Sequence, residues 1–145
     1  MATATATELE VNDLFFTSEL PWRAVSTPRV LIVEDDADVQ QGWSVFLRHQ
    51  GYDVEVKCDG ASGLAALESQ EHDVVLLDLG LPGMHGLKVL HEIRMRGVAT
   101  HIVVVTASSS PDTDRRATRA GAELVLAKPV SPHRLVAVIE GLLAG

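Results

Sequence analysis

Four carboxylates stand directly after short apolar runs. Val30–Val33 leads into Glu34, Asp35 and Asp36, and Val74–Leu77 leads into Asp78. If both runs are strands of one parallel sheet, their carboxyl ends share an edge, where open α/β sheets keep their chemistry. Carboxylates that close repel and raise one another's pKa unless a cation compensates. Such a cluster is hard to explain as structure and points to a metal-assisted site. Two more groups end apolar runs in the same way. Thr106 closes His101–Thr106, and Lys128 follows Glu123–Ala127.

The elements that must position these residues are regular from Arg29 onward. The pattern predicts strands at Arg29–Val33, Asp53–Lys57, Val74–Asp78, His101–Thr106 and Glu123–Ala127. Helices are expected at about Ala37–His49, Gly60–Ser69, Gly86–Arg96, Asp112–Ala120 and Pro132–Leu143. Val39, Trp43, Phe46 and Leu47 follow the spacing of an amphipathic helix, as do Leu135, Val138, Ile139 and Leu142. Asp36 and Asp59 are candidate caps; Ser110-Pro111 and Ser131-Pro132 place a hydroxyl before proline at the first helical position. Gly51, Gly97 and Gly121 sit where helices should end. Strict βα alternation implies a doubly wound α/β fold with a parallel sheet. The third, fourth and fifth strands are apolar over most of their length, as strands covered on both faces should be.

The remaining composition excludes several classes. A chain of 145 residues, 46% hydrophobic and 22% charged, fits one globular domain. No apolar run reaches the roughly 18 residues that span a bilayer, and the start lacks a signal-peptide pattern. These features predict a cytoplasmic protein without membrane contact. Cys58 is the sole cysteine, so no disulfide framework exists; it reads as a small, half-buried hydrophobe near a strand end. A net charge of −8 argues against nucleic-acid binding through this domain. The histidines show no metal-ligand spacing, and His85 reads as a polar loop residue. Residues 1–27 form an extension that begins in low complexity and then carries Phe15, Phe16 and Trp22. It is either a leader or a peptide that docks on its own domain, a second copy or a partner. Residues 28–145 form the domain proper.

The pair Glu34-Asp35, the segment Leu77-Asp78-Leu79-Gly80-Leu81-Pro82-Gly83-Met84-His85-Gly86, Thr106-Ala107 and Lys128-Pro129 follow one another in order. Together they resemble the receiver domain of two-component response regulators. The resemblance implies a flavodoxin-like (βα)5 fold with strand order 2-1-3-4-5. It implies that Asp78 accepts a phosphoryl group from a histidine kinase or histidine phosphotransfer protein, and that the domain is a switch without substrate turnover. It assigns Mg²⁺ to Asp35 and Asp78, the Gly80 carbonyl and, through water, Glu34. Lys128 and Thr106 would contact phosphoryl oxygens, and Pro129 would follow a cis bond. Output would pass to a protein target on the face of the fourth helix, fifth strand and fifth helix; a homodimer is a separate expectation.

One departure stands out. Val125 occupies the place, three before the lysine, where the family usually has an aromatic residue. A β-branched side chain is stiff about χ1. An unphosphorylated receiver-like scaffold therefore remains an alternative, as does a receiver fragment of a longer DNA-binding regulator. Phosphatases of the haloacid dehalogenase type need a second acid where this chain has Gly80. A flavodoxin-like cofactor binder needs a phosphate loop where it has Glu34-Asp35-Asp36.

Overall fold

The computed structural model describes residues 27–145. Strands β1 (Arg29–Val33), β2 (Asp53–Lys57), β3 (Val74–Leu77), β4 (His101–Thr106) and β5 (Leu124–Ala127) form one parallel sheet in the order β2-β1-β3-β4-β5. They alternate with helices α1 (Ala37–His49), α2 (Gly60–Ser69), α3 (Gly86–Met95), α4 (Pro111–Ala120) and α5 (Pro132–Ala144). Every predicted element is present, with ends that move by at most one residue.

Side chains that alternate along the strands feed two cores. Leu31, Val33, Val75, Leu77, Ile102 and Val104 face α2, α3 and α4. Val30, Ile32, Val74, Leu76, Val103 and Val105 face α1 and α5. The caps fall where the residue types place them. Asp36 accepts from the amides of Asp38 and Val39, and Asp59 from Ser62. Ser110 and Ser131 accept from Thr113 and Arg134, with proline in the first turn of both helices. Gly121 ends α4 at φ 119°, a left-handed conformation that favours glycine.

Two expectations need correction. Strand β5 is not covered on both faces: of its four residues only Leu126 is buried. It closes one edge of the sheet, and edge position follows from strand order rather than from hydropathy. Cys58 is exposed. It lies just past β2, the other edge strand, where one side has no neighbour. His85 is the exposed polar loop residue expected, and it also caps α3, its Nδ1 accepting from the Leu87 amide at 3.1 Å. Histidine is outside the usual capping set.

Candidate functional site

The register brings the predicted residues to one edge. Val33 pairs with Leu77, so Glu34 and Asp78 emerge side by side. The Asp78 amide donates to the Val33 carbonyl at 3.0 Å, which fixes that junction. Thr106 pairs with Ala127, and the Lys128 amide donates to the Thr106 carbonyl at 2.9 Å. The loop after β3 is pinned from beneath by Gly86, whose amide donates to the Leu79 carbonyl at 3.0 Å. A Cβ on Gly86 would overlap the backbone of Leu79 and Asp78. Only glycine lets α3 begin so close to the carboxylate.

Glu34 is fully buried and Asp78 is 8% exposed. Lys128 Nζ reaches both, at 2.6 Å from Glu34 Oε1 and 3.2 Å from Asp78 Oδ2. Glu34 Oε2 also accepts from the Asp36 amide at 3.0 Å, and Asp78 Oδ1 from the Gly80 amide at 3.2 Å. Carboxylate oxygens of Glu34, Asp35 and Asp78 all lie within 4.8 Å of one another. Asp35 is the exposed member, open to solvent above two buried neighbours. Thr106 is buried, and its Oγ1 accepts from the Ser108 amide at 3.2 Å, which leaves its own proton available. The Lys128–Pro129 bond is cis.

The electrostatics follow from one ammonium shared by two carboxylates. Burial pushes the Glu34 carboxyl above its usual range, against the opposing pull of Lys128 and the Asp36 amide. Burial alone would push Lys128 down; the hydrogen bond to Glu34 and the charge of Asp78 outweigh it and hold the ammonium above its usual value. Burial thus prevails at Glu34 and is outweighed at Lys128. The asymmetry has a physical cause. Lys128 gains from two carboxylates, whereas the buried Glu34 shares its one cation with Asp78. Three close carboxylate oxygens form a hard donor set of the kind a small divalent cation prefers.

Several neighbours were not legible in the sequence. The Gln40 side-chain amide donates to the Glu34 carbonyl, holding the turn before α1. A cavity of about 400 Å³ beside Lys128 is lined by Val39, Trp43, Ala107, Pro129 and Val130. A smaller one, about 100 Å³, opens next to Gly80 and takes its walls from His85, Ser108, Thr113 and Arg116. His85 has a weak signal, its place in the loop after Asp78. Arg116 has none.

Residues 30–140 match the response regulator receiver domain family. The chain belongs to that family. It is 34% identical over 115 residues to the response regulator ArlR of Staphylococcus saprophyticus, covering 79% of this chain and 52% of that protein. It is likewise 34% identical over 119 residues to the transcriptional regulatory protein PrrA of Mycobacterium tuberculosis, covering 82% and 51%. The chain spans about half the length of these curated relatives. Among solved structures it resembles a CheY-like receiver domain protein from Methanospirillum hungatei, with TM-score 0.78, 31% identity and coverage of 82% and 95%. The domain is accordingly a two-component receiver, of a family of signalling switches. No helix among the described residues is long and apolar enough to cross a membrane.

Proposed function

We propose that Asp78 is the phosphoacceptor of a phosphorylation-dependent switch. The observation that carries this reading is the single ammonium of Lys128 held between Glu34 and Asp78. A carboxylate oxygen of Asp78 attacks phosphorus, and the bond from phosphorus to the donor histidine breaks. The product is an acyl phosphate. Phosphoryl transfer needs positioning and charge stabilisation more than covalent chemistry from the protein. Lys128 would follow the negative charge from the carboxylate to a phosphoryl oxygen, and Thr106 would donate its proton to another. Asp35, Asp78 and the Gly80 carbonyl would hold Mg²⁺, with Glu34 acting through water. The bound ion would neutralise charge on the phosphoryl oxygens.

Thr106 is the natural relay to the rest of the domain. Its movement toward the phosphoryl group would draw Ala107-Ser108-Ser109-Ser110 with it. A charge-assisted hydrogen bond contributes about 1.5–3 kcal/mol, whereas a shift from 1:99 to 99:1 needs about 5.5 kcal/mol. A full switch therefore requires both Thr106 and Lys128. Val125, half-buried in place of an aromatic ring, leaves the signal to a backbone shift across α4, β5 and α5. Gly80 leaves the carboxylate approachable, since a side chain there would sit 3.9 Å from both Asp78 oxygens. We infer a short-lived phosphorylated state. The donor is a histidine kinase or phosphotransfer protein, and output passes through protein contact at the α4–β5–α5 face.

Intact mass after incubation with Mg²⁺ and acetyl phosphate tests this. One added phosphoryl group is expected, and none in Asp78→Asn or without metal. An adduct that persists in Asp78→Asn would overturn the assignment. In Thr106→Ala the adduct should form while the spectral response of the β4–α4 loop falls to a fraction; a full response would remove Thr106 from the relay.

A further inference from the structure

We propose that the apolar stretch Leu14–Trp22 of this chain's own N-terminal segment, preceded by Asp13 and carrying Glu19, docks in the groove between α1 and the start of α5. The groove measures about 850 Å³ and is lined by Gly42, Val45, Phe46, Arg48 and His49 of α1 and Pro132 of α5. Its apolar floor lies open. Val45 is 54% exposed, and the Phe46 ring leans on His133 with centroids 4.8 Å apart. No carboxylate lines it, although the chain carries a net charge of −8. Arg48 is fixed in place there by a 2.9 Å bond from Nη2 to the Val54 carbonyl.

The segment is the chemical complement of that groove. Residues 1–26 hold four carboxylates (Glu8, Glu10, Asp13 and Glu19) against one cation, Arg23. Leu14, Phe15, Phe16, Leu20 and Trp22 supply apolar side chains, and these include half of the chain's aromatic residues. Apolar surface of that size gains by leaving water, and Asp13 or Glu19 can meet Arg48.

The path is short. The chain enters the described structure at Thr27, and the Pro28 carbonyl accepts from the Asp53 amide at 3.0 Å. Only Gln50, Gly51 and Tyr52 separate Asp53 from His49, the last residue of α1, so the chain enters at the end of the sheet where α1 finishes. The six residues from Trp22 to Pro28 reach about 20 Å when extended, close to the length of a 13-residue helix such as α1, about 20 Å. A covalently tethered segment also acts at an effective concentration near the millimolar range, so a modest groove suffices.

A spin label on Ser18→Cys, in the full chain with Cys58→Ser, tests the docking by amide signals of isotope-labelled protein. The expected result is selective loss of the Gly42, Val45, Phe46 and His49 signals, independent of protein concentration and restored by Val45→Asp. Val45 is exposed, so that substitution leaves the core untouched. Full signals along α1, or losses that survive Val45→Asp, overturn the proposal. Losses that appear when spin-labelled chain is mixed with isotope-labelled chain lacking the spin label would assign the groove to a second copy instead.

Discussion

The two ends of the sheet handle charge in opposite ways. At the carboxyl edge the buried Glu34 and Asp78 share one ammonium, and the exposed Asp35 stands beside them. At the amino edge Arg29 pairs with Asp53 across the surface, and two imidazoles take carboxylate partners: His101 with Glu123, and the buried His72 with Glu55. There a single guanidinium ties backbone rather than carboxylates. Arg94 donates to the Gly121 carbonyl from Nε and Nη2, and to the Val98 and Thr100 carbonyls from Nη1. The carboxyl edge engages the Glu34 and Asp78 oxygens but leaves charge unbalanced. The amino edge gives each of its carboxylates a partner of its own, yet holds the buried polar side-chain atoms that lack partners among the described residues: Arg29 Nε, His72 Nδ1 and Thr100 Oγ1. An added cation can relieve the first kind of cost and has no purchase on the second. The functional edge is the one whose cost a ligand can remove.

Lys128→Met should break this contrast most severely. It strands two buried carboxylates without their cation, and loss of one partner of a buried pair costs about 3–5 kcal/mol. Urea unfolding in EDTA should show that loss, and millimolar Mg²⁺ should recover much of it. A variant as stable as the parent in EDTA would mean that Lys128 does not compensate the cluster.

Arg94→Met tests the other end. Three carbonyls lose a charged donor, and hydrogen bonds to charged groups contribute about 1.5–3 kcal/mol each before relaxation. A net loss of about 2–3 kcal/mol is expected after water reaches the freed carbonyls. Here Mg²⁺ should restore nothing beyond what it adds to the parent. Recovery of Arg94→Met by Mg²⁺ would show that the two edges are energetically coupled.

The contrast also explains what the sequence made legible. The carboxyl edge was readable because its groups follow β-branched runs, and a strand's end is marked by where hydropathy stops. Glu34, Asp35, Asp78, Thr106 and Lys128 all carry that mark, and the register gathers them. That Lys128 bridges Glu34 and Asp78 was not readable, because 94 and 50 residues separate it from its partners. Arg94 was hidden for another reason. Its work is on backbone carbonyls, which every residue possesses, so no side-chain pattern marks it. The exposure of β5 and Cys58 depends on which strands lie at the sheet's edges, a property of the whole order. The reading of the extension rests on residues 1–26, outside the described structure.

The smallest predicted effect compares two carboxylates of the same edge. Asp59 caps α2, accepting from the Ser62 amide at 2.8 Å and the Ser62 hydroxyl at 2.7 Å. The backbone hydrogen bond first, and then the hydroxyl, hold its carboxyl below the ordinary 3.8. The unfolded chain therefore binds this proton more readily than the folded one. Asp59 contributes stability above 3.8 that fades as pH falls through the folded value. Glu34 has the opposite sign. Burial raises its carboxyl above 4.5, so the folded state binds the proton more readily, and stability falls as pH climbs from 4.5 through the folded value. Unfolding free energies in EDTA, parent minus Asp59→Asn, should therefore increase with pH below 3.8. Parent minus Glu34→Gln should decrease with pH above 4.5. Two slopes of the same sign would mean that burial does not dominate at Glu34, and the cluster would then need no cation beyond Lys128.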